Sequence, residues 1–169
     1  MPRKVAFYPC CASDVREPLT LLSGLVDEVI FCDIRDCFNA PKQKSNEDLS
    51  SSLPLSTFRV GDARDVLQSI SRIDLLFYRK DSEGEGGSRL FVLGDSVLPA
   101  ILAKFPSTGG MIVTDGSNSR GSNFERMIRK SGLVKHGWKF ANAAEQPFLE
   151  AHKLYCIDVR ASSPVLVTA

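Results

Sequence analysis

The chain has 169 residues, a formal net charge of +1, 43% hydrophobic and 24% charged residues. That length and balance fit one globular domain with a single core, taken here as 1–169. The near-zero charge argues against a broad basic footprint for nucleic acid, and no apolar run approaches the ~20 residues needed to span a bilayer.

Met1-Pro2-Arg3-Lys4 leads straight into a strand-like run and carries no signal-peptide pattern. The five cysteines, Cys10, Cys11, Cys32, Cys37 and Cys156, are odd in number and form no CxxC pair. Neither a disulfide framework nor a four-ligand zinc site is indicated, and reduced cysteines in a cytoplasmic protein are the simplest expectation. His136 and His152 have no metal-ligand spacing to each other.

Val5-Ala6-Phe7-Tyr8 reads as a short buried strand. Val15 to Leu25 follows with Leu19, Leu22 and Leu25 near helical spacing, Pro18 in the first turn, and Asp14 or Ser13 as N-cap. Glu28 to Ile34 is an apolar run ending beside an acid, the pattern of a strand buried on both faces. Ala40 to Ser56 is polar, serine-rich and proline-bracketed, and reads as a loop. Thr57 to Val60 is a third strand, Ala63 to Ser71 a helix and Ile73 to Tyr78 a fourth strand. Lys80 to Ser88 is a glycine-rich acidic loop. Leu90 to Phe105 has a helical pattern, with its start near Asp95 or Ser96. Gly110 to Asp115 reads as a fifth strand and Ser122 to Ser131 as a helix stopped at Gly132. Trp138 to Asn142 and Lys153 to Val159 are the last strand candidates, followed by a tail, 161–169. The connection between these two, Ala143 to His152, is too short for an easy crossover helix, so they should pair antiparallel.

Strand–helix alternation closed by a hairpin implies an α/β protein, a mostly parallel sheet covered on both faces. The arrangement resembles the class I S-adenosylmethionine-dependent methyltransferase fold over nearly the whole chain, Val5 to about Arg160. The resemblance implies seven strands in the order 3-2-1-4-5-7-6, S-adenosylmethionine as cofactor and a small-molecule adenosyl ligand as partner.

The family's first loop reads like DLGCGTG. Against it, Tyr8-Pro9-Cys10-Cys11-Ala12-Ser13-Asp14 keeps the length but puts Cys10, Ala12 and Asp14 at the glycine positions and Tyr8 at the position of the first-strand acid. Small side chains preserve close backbone approach, whereas the positive φ that glycine allows is expected to be lost. Asp14 or Ser13 could substitute for the acid from further along the turn. The alternative reading is that Cys10 and Cys11 simply pack under the first helix. Asp33 ends the second strand, where the resemblance implies an acid that accepts from both ribose hydroxyls. Asp62 and Ala63 follow the third strand, where it implies an acid for the adenine amino group and a backbone N–H for a ring nitrogen. Asp62 could equally be the cap of the helix that follows, and Asp33 a solvated strand-end acid. Tyr78, Asp81, Asp115 and Asn118, at the ends of the fourth and fifth strands, are candidates for an acceptor pocket.

The segment after the fourth strand lacks the Asn/Asp-Pro-Pro-Tyr of base amino methyltransferases. Neither a Walker sequence nor GxGxxG occurs, which counts against a phosphate-loop enzyme and a dinucleotide oxidoreductase. The functional expectation is a methyltransferase of unassigned acceptor, or a methyltransferase-like binding or regulatory module without catalysis.

Overall fold

Short strands that are apolar on both faces are stable only as the middle layer of a three-layer structure, and the chain folds that way. The computed structural model describes residues 2–36, 53–79, 97–117, 124–143 and 145–161. Its elements are β1 (Val5–Pro9), α1 (Arg16–Leu21), β2 (Glu28–Asp33), β3 (Leu55–Val60), α2 (Ala63–Ser69), β4 (Leu75–Tyr78), α3 (Val97–Leu102), β5 (Gly110–Thr114), α4 (Phe124–Lys130), β6 (Trp138–Asn142), α5 (Pro147–Glu150) and β7 (Tyr155–Ala161). The seven strands lie in the order β3-β2-β1-β4-β5-β7-β6, the order expected from the sequence. β1 pairs parallel with β2 and β4, β2 with β3, and β4 with β5. β7 runs antiparallel to both neighbours, β5 and β6. Among the described residues no helix is long and apolar enough to cross a membrane.

The register turns strand alternation into two cores. Phe7, Leu76, Tyr78 and Ile112 point to one face, under α2, α3 and α4, where Leu67, Ile101 and Phe124 complete the packing. Ala6, Tyr8, Phe31, Phe77 and Val113 point to the other, with Leu19 and Leu22 from the α1 side and Leu149 and Leu154 from the α5 side. Tyr8 meets Phe77 edge to face at 4.8 Å between ring centroids, an arrangement that favours a single packing of β1 on β4. Gly110 opens β5 because the Phe105 ring lies where its side chain would be, with a Cβ meeting that ring at 2.4 Å.

Several boundaries differ from the sequence reading. α1 ends at Leu21, and its N-cap is Val15, with no side-chain cap, because Asp14 is turned away into the ion network described below. β3 begins at Leu55, so the last two residues of the expected 40–56 loop pair with β2. β7 is displaced two residues toward the C-terminus, since Lys153 takes a left-handed φ of 58° that ends the turn before it. The β6–β7 connection contains the single helical turn α5, while the hairpin pairing stands. Residues 37–52, all of the 80–88 loop and 162–169 lie outside the described residues.

Candidate functional site

Ligands of open parallel sheets bind beyond the carboxyl ends of the strands, where strand order reverses. Here that place is between β1 and β4, the point from which the sheet is built outward in both directions. The opening turn, the end of β2, the start of α2 and the residue after β4 all converge there.

The opening turn keeps a glycine-like shape without glycine. Cys10 has φ 56° and Ala12 φ 48°, both in the left-handed region, which corrects the expectation that these torsions would be lost. Such a conformation costs an ordinary residue roughly 1–2 kcal/mol. The turn is held by its neighbours: the Cys11 N–H donates to the Cys32 carbonyl at 3.1 Å and the Asp14 N–H to the Cys11 carbonyl at 2.9 Å. Cys11 is buried in the core, in keeping with its packing role, whereas Cys10 is half-buried. Ser13 is exposed, and its carbonyl accepts from the Val15 N–H.

Asp33 is 5% exposed, so the reading of it as a solvated strand-end acid is corrected. Its Oδ2 accepts from the Ala12 N–H at 2.9 Å and its Oδ1 from the Arg35 N–H at 2.9 Å. The Arg35 guanidinium Nε also lies 3.5 Å from Oδ1, so Oδ2 is the oxygen that keeps room for a further donor. Asp62 is the N-cap of α2, accepting from the Arg64 N–H at 2.9 Å, and the Arg64 guanidinium also grips both its oxygens. The bonds from Arg64 outweigh partial burial and lower the Asp62 pKa to about 2. Ala63, the first helical residue, is buried beside it.

Arg79, one residue past β4, is the functional candidate that motif reasoning missed. Strand alternation puts it on the face of Phe77 and Tyr8, and its guanidinium lies 5.5 Å from the Phe77 ring centre. It is 4% exposed. Its Nε donates to Asp14 Oδ2 and its Nη2 to Asp14 Oδ1, both at 2.8 Å, and Nη2 also bonds Glu17 of α1. The Tyr8 hydroxyl donates to Asp14 Oδ2 at 2.8 Å, and His152 Nδ1 lies 2.7 Å from Glu17 Oε1. Burial opposes the charge on Arg79, but the bonds to Asp14 and Glu17 win and raise its pKa. Burial, followed by the Asp14 charge and bond, raises that of Tyr8. The Arg79 bond is the main cause holding Glu17 below the usual carboxylate range. The one available signal for Arg79 was a cation directly after a fully apolar strand at the switch point. Nothing in the sequence pointed to Glu17 or His152.

Of the acceptor-pocket candidates, Tyr78 is corrected. It is 1% exposed and belongs to the core beneath α2 and α3, because it alternates away from the Tyr8 face. Asp115 does line a cleft, and its Oδ1 accepts from the Ser117 N–H at 2.9 Å. Asp81 and Asn118 lie outside the described residues. Among the described residues no group of three or more His, Cys, Asp or Glu side chains is placed to hold a metal ion.

The strand order, with its single antiparallel strand inside the β6 edge, defines the class I S-adenosylmethionine-dependent methyltransferase fold. Particular solved proteins share it at low identity. Precorrin-8w decarboxylase from Methanobacterium thermoautotrophicum superposes with a TM-score of 0.52 at 20% identity over 94% of this chain and 82% of that one. An rRNA methylase from Streptococcus thermophilus gives 0.54 at 11% identity over 95% and 89%. Magnesium protoporphyrin IX methyltransferase from Synechocystis, with S-adenosylmethionine bound, gives 0.54 at 15% over 96% and 71%. No protein-family profile and no curated protein sequence matches the chain.

Proposed function

We propose that the protein binds S-adenosylmethionine at the carboxyl ends of β1–β4 and transfers its methyl group to an acceptor seated toward β5. The opening turn carries this reading. A chain that only had to join β1 to α1 could do so without two ordinary residues in left-handed torsions, and such strain marks ligand-binding turns. Solved neighbours of the same fold include one that holds S-adenosylmethionine.

The residues fit an adenosyl group. Asp33 is fixed by Ala12 and Arg35 at the end of β2 and retains acceptor capacity for a ribose diol. Asp62 caps α2 and can still accept from an exocyclic amine, with the Ala63 N–H beside it for a ring nitrogen. When bound, the cofactor supplies an electrophilic methyl carried on a sulfonium. The chain's own contribution is to orient the ligand on a rigid sheet edge and exclude water from it.

A second reading is a non-catalytic binding module. Tyr8 stands where the family has an acid, and Asp14, the substitute for it, is already held by Tyr8 and Arg79. The carboxylate that would meet the cofactor's ammonium is therefore engaged within the protein.

Calorimetric titration with S-adenosylmethionine and S-adenosylhomocysteine tests both readings. Binding is expected, and Asp33→Ala should weaken it by roughly ten- to a hundredfold, the loss of bonds to a charged acceptor of about 1.5–3 kcal/mol. Binding with no methyl transfer to any acceptor offered would favour the module. No heat with either ligand at about millimolar concentration would sink the adenosyl site.

A further inference from the structure

β6 closes one side of the sheet, beyond β5 and β7, and its outer edge is open. The Ala143 N–H donates to the Cys156 carbonyl at 3.1 Å, so antiparallel alternation turns the main-chain groups of Lys139 and Ala141 toward β7 and those of Phe140 and Asn142 outward. Among the described residues nothing bonds these outward N–H and C=O groups. Beside them runs a groove of about 270 Å³ between β6 and α4. Ile128 and Ile157, 6% and 5% exposed, form its floor, and Val134, Trp138 and Phe140 line its sides. Strand alternation puts Trp138 and Phe140 on the groove face and Lys139 on the other. The surround is basic. Residues 124–142 hold five Lys or Arg against a single acid, Glu125, in a chain whose net charge is only +1. Arg129 lines the groove, Arg126, Lys135 and Lys139 are exposed around it, and none of these four is in an ion pair among the described residues.

We infer that this edge takes an extended segment of a partner protein, alternating apolar and acidic residues, as an added strand of the sheet. Its main chain pairs with Phe140 and Asn142, its apolar side chains enter the groove, and its acids meet Lys139 on the opposite face and Arg129 and Lys135 at the rim. In such strand addition the main-chain bonds supply affinity and the alternate side chains supply choice. A second copy of this chain is the poorer occupant, because β6 set against β6 brings Arg129, Lys135 and Lys139 of both copies together. A nucleic acid strand matches the cations, but its phosphate backbone has no N–H donor for the outward carbonyls of Phe140 and Asn142. Residues 162–169 contain no acid to meet the cations. Nothing at this edge depends on the adenosyl reading.

Nitrogen-15 labelled protein titrated with acetyl-Glu-Val-Glu-Val-Glu amide tests it. Shifted amides should cluster at Val134, Trp138, Phe140 and Asn142, and exchange of the Phe140 amide should slow at least roughly tenfold at saturation. The counterpart peptide with Lys for Glu should bind at least roughly tenfold more weakly at about 20 mM salt, and the gap should narrow at about 200 mM. Two further peptides carry N-methyl groups, one at its Glu residues and one at its Val residues. One of them should lose binding and the other keep it, because a strand offers alternate N–H groups to each side. Exchanging the exposed Lys135 and Lys139 for Glu together should weaken the Glu peptide roughly three- to tenfold and strengthen the Lys peptide. Equal affinity for the Glu and Lys peptides, binding kept by both N-methylated forms, or shifts confined to another face would overturn the proposal. Tighter binding of a uridine pentanucleotide at this edge would assign it to nucleic acid and overturn it too. So would slow Phe140 exchange in the free protein. If that protection rose with protein concentration the occupant would be a second copy, and if it did not, residues 162–169.

Discussion

Ala12 sets the energetics of the opening turn. Its left-handed φ costs about 1–2 kcal/mol, while a glycine there would add about 0.4–1 kcal/mol of unfolded-state freedom. Ala12→Gly should therefore stabilise the unliganded protein by about 0.5–1 kcal/mol, or roughly 1–4 °C in Tm. A fall in Tm would mean that the alanine methyl contributes packing that outweighs the strain. Asp14 is the opposite case. It is the principal counter-charge of a guanidinium that is 3% exposed, so Asp14→Ala leaves a buried cation half-paired. That change should cost about 3–5 kcal/mol in urea denaturation. Glu17→Gln, whose side chain is 43% exposed, should cost far less. A small loss for Asp14→Ala would show that water reaches Arg79.

At the scale of elements, the caps and ion pairs decide how stability responds to acid. Arg64 lowers Asp62 to about 2, Arg79 lowers Glu17, and at Asp74 the bonds from Arg72 and the Val5 N–H outweigh burial and lower it too. All three carboxylates have folded pKa values below their unfolded ones. Their contribution is complete above the unfolded range, about pH 4, and is lost as pH falls through their lowered folded values. The urea midpoint should hold between about pH 7 and 5 and drop below about pH 4. Asp62→Asn should flatten that drop, since asparagine still caps α2 but cannot titrate. An unchanged acid slope in this variant would show that the Arg64 pair is absent in solution. The same network explains why α1 starts without a side-chain cap. Two buried donors, the Tyr8 hydroxyl and the Arg79 guanidinium, claim the Asp14 carboxylate, and satisfying them outweighs capping one exposed helix end.

For the whole molecule, burial grades outward from the centre of the sheet. β1 and β4 are covered on both faces, whereas β3 at one edge exposes Leu55, Phe58 and Val60 and β6 at the other is half-exposed. Amide exchange should be slowest in β1, β4 and β5 and at least roughly a hundredfold faster at the unpaired edges of β3 and β6. Uniform protection across the sheet would contradict this gradient.

The continuous apolar runs at Val5–Tyr8, Glu28–Asp33 and Leu75–Tyr78 made a doubly covered parallel sheet legible, and the short link before β7 made its antiparallel closure legible. Periodicity is local, so it carries that much from the sequence alone. Asp33 and Asp62 were legible as strand-end acids because their positions follow from strand boundaries. What they bond was not. The turn's left-handed torsions, the capture of Asp14 by Arg79, the placement of Tyr78 in the core and the gathering of Asp115, Glu125, Glu145 and Glu150 around one cleft depend on residues far apart in the chain. Arg79 lies 65 positions from Asp14, and His152 lies 135 from Glu17. Spacing along a chain specifies which face a side chain takes; only the assembled sheet with its packed helices, by bringing those faces together in a dry interior, decides which charges must pair.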